Sequence, residues 1–308
     1  MKKEFNIRKF CVNYNVFIIF SVLFIACTLL SESFLLPINL FNIGLQQAAP
    51  IFVAIGVMFP IIMGGIDLSV GSVMALASSG VLAVMNKTDI GLGLGLALAV
   101  LIGLACGLLN GFLVAYCNMP GFVATLATLT TLKGFAYLIT NGNTIKVTGN
   151  VLLDLCKRDY GYPTIIITAV VIVLFILMQH YTVFGRLILA TGSNRTAVEL
   201  AGIRVKRYIL SAYVISGVMA ALAGMWLAAR TSTSNAVLGQ GAELNAVAAC
   251  VLGGTSLSGG RGSALKTFVG ALCLAMIGNI MNLMGVGAYI QNIVQGIIIV
   301  FAVLMYGI

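Results

Sequence analysis

The residues with the most chemistry to offer stand where an apolar sequence should not hold them. Asp67 lies in Met63-Gly-Gly-Ile-Asp-Leu-Ser-Val-Gly-Ser72, between two apolar runs. A charge at the centre of a bilayer costs roughly 3 kcal/mol on insertion scales, so this carboxylate must face protein, water or a helix end. Two roles fit it. It caps the following helix, accepting from first-turn amides with Ser69 assisting, or it acts on a solute or a gate. Lys133 interrupts the stretch Gly121–Thr140, which is rich in threonines such as Thr125 and Thr128. It either snorkels or pairs with a carboxylate, or it shares a polar path with the threonine hydroxyls. Asn245 and Asn279 are carboxamides in further apolar stretches, as are Asn110, Asn282, Gln291, Asn292 and Gln295 in or near theirs. Carboxamides hold membrane helices together. Because each donates and accepts, they also suit a hydroxylated solute. Asp67, Ser69, Thr128, Lys133, Asn245 and Asn279 are therefore the residues expected along a translocation path or at its gate.

Other chemistries find little support. The glycine-rich stretch Gly253–Thr267 fails as a phosphate loop, because Lys266 follows Leu265 and not a glycine. One histidine and seven cysteines without a CxxC pair make no zinc set, so the cysteines read as buried free thiols. Eight carboxylates and one histidine, mostly in loops, offer no convergent catalytic group. No cofactor is expected in this chain, and no nucleotide should bind it.

The elements that position these residues follow from composition. Of 308 residues, 60% are hydrophobic and 8% charged, and mean hydropathy is +1.10. Soluble domains carry about a quarter charged residues, so the chain reads as an all-α, polytopic transmembrane bundle, a single domain over 1–308. Apolar stretches fall near 16–36, 48–63, 67–85, 91–117, 121–140, 164–181, 208–229, 243–258, 264–282 and 288–306. That predicts about ten spans. The second, third and eighth are short or glycine-interrupted, which marks them as broken or re-entrant segments.

Basic residues set the orientation. With the N-terminus inside, Lys2, Lys3, Arg8, Lys9, Arg186, Arg195, Arg204, Lys206, Arg207, Arg261 and Lys266 fall on the cytoplasmic side. Only Lys87, Lys146, Lys157, Arg158 and Arg230 fall outside. Cytoplasmic loops collect Lys and Arg, so both termini are expected inside, 141–163 outside and 182–207 inside. The net charge of +9 reflects this topology rather than nucleic-acid binding. The basic N-terminus ahead of an apolar run has the look of a signal peptide, but a polytopic chain keeps its first span.

Two further patterns stand out. Within 182–207, Asn194-Arg-Thr-Ala-Val-Glu-Leu-Ala-Gly202 predicts a short helix. Asn194 is its N-cap, Gly202 its stop, and Ala197, Leu200 and Ala201 its apolar face. Arg195 and Glu199 are spaced i,i+4 for an ion pair. In addition, Met63-Gly-Gly-Ile-Asp-Leu-Ser echoes Leu252-Gly-Gly-Thr-Ser-Leu-Ser, each following one apolar stretch and opening another. Such an echo arises by duplication, as in many transporters, or by chance between glycine-rich hairpins.

These motifs together resemble the ribose-type permease family of ABC importers, a family of branched-chain amino acid and sugar systems. The resemblance rests on Gly64-Gly-Ile-Asp-Leu-Ser-Val-Gly-Ser72, on Thr182-Val-Phe-Gly-Arg … Gly192-Ser-Asn-Arg-Thr-Ala-Val-Glu-Leu-Ala-Gly-Ile-Arg-Val-Lys-Arg207, and on Leu252-Gly-Gly-Thr-Ser-Leu-Ser-Gly-Gly-Arg-Gly262. It covers nearly the whole chain. Ser193 stands where a second glycine is expected.

The resemblance implies a permease subunit of the inner membrane, paired with a second permease as homodimer or paralogue. A cytoplasmic ABC ATPase holds ATP and Mg and docks on the coupling segment, with Asn194, Arg195, Glu199, Gly202 and Arg204 as the coupling residues. A periplasmic or lipid-anchored binding protein delivers a monosaccharide-like solute such as ribose. The alternative is an ion-coupled secondary transporter of a small polar solute. It needs a carboxylate relay, for which only Asp67, Glu32 and Glu243 are on offer.

Overall fold

The computed structural model describes residues 7–88, 90–147, 156 and 161–306, with the side chains of 7–13, 299, 302, 303, 305 and 306 excepted. Lys2, Lys3, Lys157 and Arg158 of the topology argument lie outside the described residues.

The chain runs α1 (Ile7–Leu30), α2 (Pro37–Ile62), α3 (Val70–Met85), α4 (Leu92–Ala115), α5 (Gly121–Thr140), β1 (Ile145–Lys146), α6 (Tyr162–Tyr181), α7 (Val183–Ser193), α8 (Arg195–Leu200), α9 (Val205–Thr231), β2 (Thr233–Ser234), α10 (Ala242–Leu252), α11 (Ala264–Leu283) and α12 (Ala288–Tyr306). Among the described residues, α2, α4, α5, α6, α9 and α11 are long and apolar enough to cross a membrane. Tyr14–Leu30, α3, α7 and α10 are shorter apolar helices.

One reading of the sequence is corrected here. The stretch 48–63 is not a short segment. It is the second half of α2, a 26-residue helix that starts at Pro37 and passes through Pro50 and Pro60. Its first half carries Asn39, Asn42, Gln46 and Gln47, whose polarity hid the helix from a hydropathy count. The third and eighth stretches are indeed short, at 16 residues in α3 and 11 in α10.

The core is built on α2 and α9. Residues Ala48–Ile62 of α2 are buried apart from Pro50, and 15 residues of α9 are buried. Helix α4 packs on α9 through Gly103, Gly107 and Gly111, spaced one turn apart. A methyl group at Gly107 would lie 2.6 Å from the Tyr213 carbonyl oxygen. In a bilayer, where lipid tails match leucine for apolarity, such small-residue seams drive helix association by close van der Waals contact. Trp226 packs inside, stacked on Phe52 with centroids 5.4 Å apart.

The connections gather into two groups. At one end, β1 and β2 pair antiparallel, Ile145 opposite Ser234 and Lys146 opposite Thr233, and Asn86 donates to the Lys146 carbonyl at 2.7 Å. The 63–69 and 253–263 hairpins meet at the other group, where the Gly260 amide donates to the Ile62 carbonyl (2.8 Å). Both hairpins open on a similar turn, but one residue out of step with the sequence echo, which aligns Gly64 with Gly253 and not with Gly254. Gly64 and Gly254 each have φ +79°, and Gly65 N–H and Thr255 N–H reach back to the Pro60 and Cys250 carbonyls at 2.9 Å. This αL closure wants glycine, which carries no Cβ penalty there.

Candidate functional site

The sequence-derived path residues fall into three places. The first is a buried polar chain. Asp67 is 1% exposed. Its Oδ1 accepts from the Ser69 amide (3.0 Å) and hydroxyl (2.6 Å), and its Oδ2 accepts from Ser216 Oγ of α9 (2.7 Å). The chain continues outward. Asn110 of α4 donates to Ser69 Oγ (2.8 Å), and Thr128 of α5 donates to Asn110 Oδ1 (2.7 Å). Asp67 thus bonds Ser69, the residue that opens α3, rather than the first-turn amides, and it joins four elements. A carboxylate that accepts three hydrogen bonds out of reach of water is tolerable in an apolar interior. Asp67, Ser69 and Thr128 therefore belong to one bonded unit. Tyr213 lies beside it, its buried hydroxyl without a partner among the described residues and facing Gly65 and Gly121.

The second place is a small void of about 30 Å³ lined by Lys133, Ser72, Gln240 and Glu243. Glu243 Oε1 accepts from the Gly241 amide (3.2 Å), while its buried Oε2 has no partner among the described residues. That oxygen sits over Gly71, in the first turn of α3, where the helix dipole favours negative charge. Glu243 is thus tucked against the first turn of α3.

The third place is a cavity of about 390 Å³ bounded by α2, the end of α9, α10, α11 and α12. Asn245 and Asn279 both line it, so two of the expected residues share a site. Gln295, named among the solute-suited amides, lines it as well, as do Gln46, Arg230 and Gln240, none of which was singled out as a path residue. Helical spacing was the available signal: Gln46, Ala49, Pro50 and Val53 on α2, and Gln291 with Gln295 on α12, recur at the period of one helix face. Some amides are committed elsewhere. Asn279 and Asn39 exchange hydrogen bonds at 2.8 and 3.1 Å, and Gln291 donates to Asn282 (2.8 Å).

The segment 182–207 forms two helices. Asn194 caps α8 as expected, accepting from the Ala197 amide at 3.0 Å. Arg195 Nε and Glu199 Oε1 pair at 3.0 Å on the exposed side. Gly202, with φ +78°, ends the helix in a Schellman turn: Gly202 N–H reaches Glu199 O (2.9 Å) and Ile203 N–H reaches Val198 O (3.3 Å). The apolar-face expectation is corrected. Val198 is the buried residue, packed with Ile203, Val205 and Ile209, whereas Ala197 and Ala201 are exposed and Leu200 is 84% exposed. Arg204 is exposed beside them.

Helix α7 ends in direct contact with the end of α2 and with the 253–263 hairpin. Gly192 lies so near the Ile62 carbonyl and the Gly260 amide that a methyl group would collide with them. Ser193 Oγ donates to the Gly260 carbonyl (3.3 Å). Gln179 of α6 clamps the same hairpin, donating to Gly262 O (2.8 Å) and accepting from Ala264 N–H (2.7 Å).

Of the cysteines, Cys27, Cys106, Cys250 and Cys273 are buried free thiols, whereas Cys117 is exposed. Cys156, in the loop before α6, is half-buried, and that burial pushes its thiol above the ordinary range.

A helical bundle with several spans, a polar cavity and an exposed helix bonded to inner turns defines a multi-pass membrane transport protein. Comparison with known proteins names the kind. The chain belongs to the family of the branched-chain amino acid transport system permease component, whose model matches residues 39–303. It is 40% identical over 293 residues to the ribose import permease protein RbsC of Bacillus subtilis, covering 92% of this chain and 89% of that protein. It is 36% identical over 313 residues to the L-arabinose transport system permease protein AraH of Escherichia coli, covering 98% and 93%. It is 37% identical over 290 residues to the probable ABC transporter permease protein YphD of Escherichia coli, covering 93% and 87%. No solved structure matches the chain. The chain is a permease subunit of the ABC importer class. It is a transport subunit and not an enzyme, and ATP hydrolysis belongs to a separate subunit.

Proposed function

We propose that this permease passes a monosaccharide, most simply a pentose, across the bacterial inner membrane, and that ATP hydrolysis in a cytoplasmic partner drives it through α8. The named relatives import ribose and L-arabinose. The observation that carries the coupling is the Gly192 junction. One short segment is hydrogen-bonded to the hairpin that opens α11 and packed on the end of α2, just before the hairpin that opens α3, while it turns Leu200, Arg195 and Arg204 outward. Allostery needs a physical element that two sites both bias, and this segment has one face on each. ATP and Mg reside on the partner, a binding protein brings the solute, and a second permease copy or paralogue completes the complex.

Ten crossings with both termini inside fit this arrangement. The hairpins and α7 meet at one end, and β1, β2 and Arg230 gather at the other. That grouping agrees with the sides the basic residues imply. Asp67, Ser69 and Thr128 then brace the opening of α3, and Asn245 and Asn279 belong to the path.

Cysteine cross-linking of Leu200→Cys to the co-expressed ATPase subunit tests the docking face. The reading predicts an ATP-sensitive cross-link. Glu199→Lys and Gly202→Val should leave membrane insertion intact and weaken assembly or uncouple hydrolysis from uptake. Normal assembly with normal transport per ATP in both variants would exclude α8 as the coupling element.

A further inference from the structure

We propose that the amide-lined cavity is a binding site for one neutral, hydroxyl-rich solute, and that Arg230 orients this solute and excludes cationic analogues. The inference rests on the sugar-importer reading and adds the chemistry of its site.

The lining is selective in kind. Among the described residues its polar side chains are carboxamides and one guanidinium, with no carboxylate. Gln46, Gln240, Asn245 and Gln295 make no side-chain hydrogen bond to the described residues, unlike Asn279 and Asn282. Each free carboxamide carries two donors and an acceptor, and polar groups in an apolar surround need partners. A sugar hydroxyl both donates and accepts, so it matches a carboxamide in either sense. At about 390 Å³ the cavity lies near the lower end of small-ligand sites, roughly 300–1,000 Å³, which suits one monosaccharide and little more.

Arg230 adds direction. Its planar fork of donors can hold two neighbouring oxygens at once, which a lysine cannot. With no carboxylate among the described lining residues to offset it, the guanidinium repels a protonated amine. The sequence conceals this role, because Arg230 closes a long helix and reads as an ordinary outer-side cation.

The chain contains one tryptophan, Trp226, a single turn before Arg230 and stacked on Phe52. The full-length permease in proteoliposomes therefore reports binding at this site by its own fluorescence. D-ribose, L-arabinose and D-galactose should be titrated against an aminodeoxy pentose that is cationic at neutral pH. At least one neutral sugar should give a saturable change, and the cationic analogue none. Arg230→Gln should weaken the neutral sugar roughly tenfold or more, the loss of a charge-assisted contact. Arg230→Lys should restore only part of it. As a second measurement, Gly278→Cys, at a lining position where a side chain meets nothing within 4 Å, should be protected from alkylation by the same sugar, in a background with the other thiols replaced.

Equal binding of the cationic analogue, or unchanged binding by Arg230→Gln, overturns the proposal. So does the lack of both fluorescence change and cysteine protection, if the transporter reconstituted with its ATPase and binding protein still imports sugar. A reconstituted transporter that imports no sugar overturns the importer reading on which the proposal rests.

Discussion

At the scale of residues, what matters is which buried polar groups are satisfied and by whom. Asp67 was legible as a buried carboxylate because its flanks are apolar. Its partner Ser216 was not, since a serine in an apolar helix ordinarily turns its hydroxyl to its own backbone. Here the hydroxyl crosses to Asp67 in the 63–69 hairpin instead. Ser216→Ala should leave Asp67 Oδ2 without a partner and cost about 1–3 kcal/mol of stability, measured by thermal unfolding in detergent. Asp67→Asn should cost less than Asp67→Ala, because it keeps an acceptor for Ser69.

Lys133 was open between a structural ion and a path residue, and the structure sets it across a small void from Glu243. About 30 Å³ with several polar groups around it suits one bridging water. The account predicts that the two charges are coupled. Lys133→Met and Glu243→Gln should be non-additive by about 0.5 kcal/mol or more in the same unfolding assay. Additive losses would mean that the two charges do not meet.

At the scale of elements, turn chemistry was more readable than helix length. Asn194 and Gly202 marked the ends of α8 correctly, because an N-cap carboxamide and an αL glycine each answer a local backbone need. The buried face of α8 was misjudged, because a six-residue helix is too short for periodicity to choose a side. The full length of α2 was missed for a different reason. Of its polar first half, Gln46 and Gln47 line a cavity and Asn39 bonds Asn279 of α11, so its composition follows the cavity and its neighbours and not the lipid.

The junction at Gly192 could not be foreseen from spacing at all, since it joins parts of the chain far apart in sequence. It supports a sharp expectation. Gly192→Ala must push α7 off the Ile62 carbonyl. It should therefore lower ATP-driven uptake severalfold while leaving the amount of inserted protein and its sugar-responsive Trp226 signal unchanged. Equal loss of both would mean that the substitution merely unfolds the protein.

At the scale of the molecule, composition alone fixed the membrane and the all-α class, because only 8% of residues are charged. The path was harder to read. Amides that hold helices together and amides that face a solute look alike in a sequence, and only packing separates Asn279, bonded to Asn39, from Asn245.

The central claim is that partner-driven motion at one end of this permease moves a sugar through it. Uptake of radiolabelled sugar into proteoliposomes holding this chain, its ATPase and its binding protein tests that claim most directly. The account predicts uptake that requires ATP and the binding protein and is indifferent to a protonophore. Uptake that continues without ATP and collapses when the protonophore is added would contradict it.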